Sequence, residues 1–183
     1  MKPETERLRR ELEDAVRRAR ELAARLDDTA LTRRPSEQAW SVAECLDHLS
    51  ATGELYAKRL RRVLESATVR TDNPVEKPTF AGRMFLKIME PPVRRMRVKI
   101  PTPKLAPRQM PSRNELLQRF DETHAQLLAL LDESDAYDRM KLRVGTPASN
   151  LIKMTFVDAF SVIASHARRH LWQAERVEAG REK

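Results

Sequence analysis

At 183 residues the chain suits a single domain, long enough to bury a core, and only 4 glycines and 5% aromatics set against recurring Leu, Ala, Arg and Glu favour helices over sheets. Its one cysteine, Cys45, excludes an internal disulfide, and with no apolar run of about 18 residues and no leader-like start after Met1 the expectation is a cytoplasmic protein without a membrane partner. The formal net charge of +8 invites a nucleic-acid reading, so where that charge sits matters more than its size.

Leu8, Leu12, Ala15, Val16, Ala19, Leu22, Ala23 and Leu26 recur at three- and four-residue steps and predict a first amphipathic helix from Glu4 onward. Asp27, Asp28, Thr29 and Pro35 end it. Ser41 and Glu44 then form an S-x-x-E capping box, with Trp40 placed to staple the entry to a second helix. That helix starts at Val42, carries Leu46, Leu49, Tyr56, Leu60, Val63 and Leu64, and stops near Ala67. Ser112 and Glu115 repeat the capping signal before a third helix through Leu116, Leu117, Phe120, Leu127, Leu128 and Leu131, closed by the acidic stretch 132–138. After Gly145 and Pro147 a last stripe takes in Ile152, Phe156, Phe160, Ile163, Ala167, Leu171, Ala174 and Val177, with Gly180 as the stop.

Between the second and third helices lies a basic, proline-rich connection, residues 68–111. From Val69 to Pro111 ten Lys or Arg face three acids, so nearly all the excess charge is there. Eight prolines oppose a continuous helix, and only 79–90 is free to form a short one. The stretch reads as a solvated or partner-facing loop, ahead of an anion-attracting lip over a site. Nucleic-acid binding ranks last, because stacking aromatics are missing apart from Phe80 and Phe85. Four amphipathic helices with one long crossover predict an all-α four-helix bundle over 1–183, following an up-down-down-up path.

His166 and His170 are four apart, so their side chains leave one face of the last helix a turn apart. His48 lies inward on the second helix beside Leu49, on the side of Cys45, Thr52 and Leu55. Three of the four histidines on inward faces suit a divalent metal, Zn, Ni, Fe or Mn, with coordination positions left over for water or substrate. Gln173 is the candidate to orient a ligand histidine or a bound water from behind, or it simply packs. Cys45 reads as a buried small hydrophobe before a thiolate ligand, Glu44 as a capping residue before a general base, and His124 as a core or interface residue.

The segments Trp40-Ser41-Val42-Ala43-Glu44-Cys45-Leu46-Asp47-His48-Leu49 and His166-Ala167-Arg168-Arg169-His170-Leu171-Trp172-Gln173 resemble the two signature regions of the DinB-like (DinB/YfiT-like) family, W-S-x-x-E-x-x-x-H-L and H-x-x-x-H-x-x-Q. The resemblance implies a four-helix bundle with the up-down-down-up path, a divalent metal on His48, His166 and His170, homodimers, and in some relatives a low-molecular-weight thiol as cosubstrate. Ala167 departs from the acidic residue frequent after the first histidine of the second motif, and Arg168 and Arg169 beyond it read as solvent-facing. The expected function is a metal-dependent enzyme acting on a small molecule, activating water for hydrolysis or a thiol for S-transfer; the alternative is a non-catalytic dimeric metal-binding or sensing scaffold.

Overall fold

The computed structural model describes residues 2–68, 76–91, 111–147 and 152–180. In chain order these form α1 (Pro3–Ala24), the five-residue α2 (Asp28–Thr32), α3 (Val42–Glu65), α4 (Phe80–Met89), α5 (Arg113–Glu133), a 3₁₀ turn at Ser134–Ala136, β1 (Arg143–Gly145), β2 (Lys153–Thr155) and α6 (Phe156–Glu178). Most of the basic connection, including Arg94 to Lys99, lies outside the described residues.

The helix starts are set chemically. Ser41 Oγ accepts from Glu44 N at 3.2 Å while the Glu44 carboxylate accepts from Ser41 N at 2.8 Å, so both members of the box occupy donors that the first turn leaves without intrahelical partners. Ser112 and Glu115 do the same for α5. Thr155 caps α6 by accepting from Asp158 N, and Gly180, at φ 64°, follows its end in the left-handed region that glycine tolerates.

Side-chain pairs between the four long helices give their directions. Thr5 bonds Asp135 and Arg20 pairs with Asp121 at 2.8 Å, while Arg113 donates to the carbonyls of Ala23 and Leu26; α5 therefore runs antiparallel to α1. Arg7 reaches Ser161, Arg18 Glu175 and Arg25 Glu178, which makes α6 parallel to α1. Arg119 pairs with Asp47 and Glu54, and Arg61 with Glu133, so α3 and α5 are parallel. The result is the up-down-down-up four-helix bundle read from the sequence. Its core has two ends: Tyr56, Leu60 and Leu64 meet Phe156 and Phe160 in one, whereas Leu46 and Leu49 meet Phe120, Ala167, Leu171 and Ala174 in the other. The early part of α3 thereby lies against the late part of α6, where the histidines are.

Two features depart from the sequence reading. Residues 152–155 are not helical: β1 and β2 form an antiparallel ladder with Arg143 opposite Thr155 and Gly145 opposite Lys153, and Ile152 is exposed. The stripe beginning at Ile152 therefore starts at Phe156, the first residue after the Thr155 cap. The second feature is α2, whose N-terminus is held by Asp27 accepting from Ala30 N at 2.7 Å.

Within the long connection, α4 packs on α6 at close range. Thr79 donates from N and Oγ1 to the buried Asp158 carboxylate at 2.9 and 2.8 Å, and a Cβ on Gly82 would overlap that carboxylate. Nearby chain is pinned by charge: Arg139 and Glu76, 1% and 2% exposed, form an ion pair, and Lys2 Nζ donates to Glu76 at 2.9 Å and to the Tyr137 carbonyl at 3.0 Å.

Candidate metal centre

His48 enters on the second turn of α3, held in register by the Ser41–Glu44 box, and His166 and His170 enter one turn apart on α6. The structure brings the three together. Their ligand nitrogens all lie within 4.8 Å of one another, and His48 Nε2 is 3.2 Å from His166 Nε2. An ion about 2.1 Å from each of two neighbouring donors at tetrahedral or octahedral angles separates those donors by roughly 3.0–3.4 Å. The His48–His166 spacing falls inside that window. Among the described residues, this is the group of histidine, cysteine and carboxylate side chains spaced to hold an ion.

The rings are shaped and oriented from outside. Trp40 stacks on His170 with centroids 5.5 Å apart and planes 22° apart, and tilts against His48 at 4.8 Å. His170 Nδ1–H donates to Gln173 Oε1 at 3.2 Å; that bond fixes the tautomer and leaves Nε2 with its lone pair free for a cation. His48 is buried, whereas His166 and His170 are partly open to solvent. Thr52, one turn after His48 on α3, is buried with a hydroxyl that has no hydrogen-bond partner among the described residues. The sequence marks Trp40 as a helix staple and as the first residue of the signature segment; its place as a wall of the site comes from the packing of its ring on His48 and His170. The signal was its position eight residues before His48.

The electrostatics favour neutral imidazoles. Burial lowers the His166 pKa to about 3, helped by His48 and Arg169; His170 is driven well below its ordinary value by burial and then by His166, His48 and Arg169, against the opposing bond to Gln173. Both rings are unprotonated at pH 7, the form a metal requires. Among the described residues, the ion-spaced group contains no carboxylate. Asp47, next to His48 and 1% exposed, is taken by Arg119 at 2.5 Å. Glu44 is committed to the capping box and to Arg34; burial pushes its carboxyl up, but the bonds from Arg34 and Ser41 outweigh that and hold it below the usual range.

The remaining candidates fall elsewhere. Cys45 is buried one turn before His48, outside the ion-spaced group. His124 is a core residue: its Nδ1 donates to the Phe120 carbonyl at 2.8 Å, its ring stacks on Phe120 with centroids 4.0 Å apart, and burial lowers its pKa despite that bond. Arg168 and Arg169 are half-buried rather than solvent-facing; Arg168 bonds Glu90 at the end of α4 and Glu11 of α1, which flank α6 on its side.

Among solved structures, the chain is similar to one described as YfiT from Bacillus subtilis, a probable metal-dependent hydrolase with an unusual four-helix bundle topology. The TM-score is 0.63 at 15% identity, with 98% of this chain and 89% of that chain covered, a likeness that shows the fold. No curated protein matches the chain. The sequence pattern of the DinB superfamily matches residues 11–174, a span that includes Trp40, all three clustered histidines and Gln173. The chain belongs to the DinB superfamily.

Proposed function

We propose that the protein is a divalent-metal-dependent enzyme acting on a small molecule, with His48, His166 and His170 as the ligands and hydrolysis as the reaction. The observation that carries this is the meeting of three imidazoles from two antiparallel helices, with their ligand nitrogens within 4.8 Å of one another. Neutral imidazoles converging at this spacing present ring nitrogens that a shared divalent cation can take up. A divalent ion there supplies Lewis acidity, enough to acidify a coordinated water or the sulfur of a small thiol near neutral pH.

The chain's own residues supply the rest. Gln173 holds His170 in one tautomer, and Trp40 closes one side of the cluster to water. The partial exposure of His166 and His170 gives a small molecule access, which favours an enzyme over a sealed structural site. The similarity to a structure called a probable metal-dependent hydrolase supports hydrolysis; S-transfer from a thiol rests on the family resemblance alone. Elemental analysis of the purified protein tests the reading, with one ion per chain expected. His48→Ala and His166→Ala each remove the ion while helical content is kept. A wild-type protein without metal, or an ion retained in both variants, refutes it.

A further inference from the structure

Arg169 lies three residues after His166 and one before His170 on α6. A residue three positions along a helix is a surface neighbour, so this side chain borders the histidine cluster. It is half-buried, and among the described residues it has neither an ion pair nor a hydrogen bond, while Arg168 beside it is bonded to two glutamates. Its charge acts on the His166 and His170 rings. A guanidinium drawn partly out of water with no acceptor is unfavourable unless something else provides one.

The charge balance says what that is. Neutral imidazoles contribute nothing, an ion adds two positive charges, and the nearby carboxylates of Asp47 and Glu44 are already paired with Arg119 and Arg34. Among the described residues no carboxylate joins the cluster, and an anion arriving with the ligand balances that charge. We propose that Arg169 is the anion-recognition residue of this site, its planar fork receiving the paired oxygens of a carboxylate or phosphate, so that the substrate is a small anionic molecule. The orientation of five donors in one plane suits such oxyanions better than a lysine would. This rests on the proposed metal site, but recognition by Arg169 is measurable without it.

The test is calorimetric titration of the full chain, zinc-loaded and metal-free, with succinate and with methylphosphonate at constant ionic strength. One of the two anions binds the wild type, and its identity distinguishes carboxylate from phosphate-type substrates. Arg169→Gln weakens that binding by about tenfold or more in both forms, and Arg169→Lys gives an intermediate loss. Zinc content stays the same in both variants. Equal affinity in wild type and Arg169→Gln overturns the proposal, as does absence of binding by either anion. Loss of zinc in a folded Arg169→Gln protein also overturns it, since the residue would then be a support for the ligands. If the wild type takes up no zinc but still binds the anion through Arg169, the metal reading fails and this one stands.

Discussion

The lowered pKa of His166 makes metal-free stability depend on pH in a way that can be worked out. The perturbation is His166→Gln, which keeps a polar side chain and removes the titrating ring. With a native pKa of about 3 against an ordinary 6.5, the folded protein binds fewer protons than the unfolded chain across that window, so stability falls as pH falls below 6.5. At pH 7 the term is small. At pH 5, about 1.5 units below the unfolded pKa, the ring is still neutral when folded, a loss of roughly 2 kcal/mol at 1.36 kcal/mol per unit. His124, also lowered, adds a loss of the same sign that remains in the variant, and His170 adds one that is partly relieved there because His166 contributes to its shift. Urea denaturation with a chelator present, at pH 7 and pH 5, should show the pH 7-to-5 loss shrinking by about 2 kcal/mol in His166→Gln. An unchanged difference between wild type and variant would mean that the ring is protonated in the native state, and the case for a preformed set of neutral ligands would fall.

Gln173→Leu removes the acceptor that sets the His170 tautomer, and metal affinity should drop about 10- to 100-fold in a competition assay while one ion still binds at saturation. Gly82→Ala sets two effects against each other: helix propensity favours alanine by about 1 kcal/mol, but the new Cβ displaces Asp158 from two bonds to Thr79. Net destabilisation of about 2 kcal/mol in urea is expected, whereas a stabilised variant would show that α4 is not held by this contact. Glu76→Ala leaves Arg139 charged and buried without its main partner, with an expected loss of about 3–5 kcal/mol in the same assay, reduced if Arg139→Met accompanies it.

Much of this architecture was legible because the signals are local and repeated. The Ser41–Glu44 and Ser112–Glu115 boxes mark two helix starts chemically, and the long proline-rich link between them already disfavours a simple alternating path. The β1–β2 ladder was not legible: strands of three residues are too short to show a period of two, and Ile152 falls in phase with the α6 stripe although it is exposed. The histidine spacing on α6 indicated two donors on one face. That His48 meets them depends on α3 and α6 being antiparallel neighbours, which is a tertiary fact. An Arg-Arg pair on an amphipathic helix normally faces solvent; Arg168 does not, because it bonds Glu11 of α1 and Glu90 at the end of α4, which lies inside a connection with little helical pattern.

His48 and His166 are 118 residues apart in sequence. An unfolded or half-assembled chain can offer at most the pair a turn apart on α6, and the third donor arrives only when α3 docks against it. Affinity for a cation is thus a gauge of completed assembly: an ion that needs all three nitrogens would discriminate against every partly folded form and lock together two segments that loop entropy otherwise drives apart.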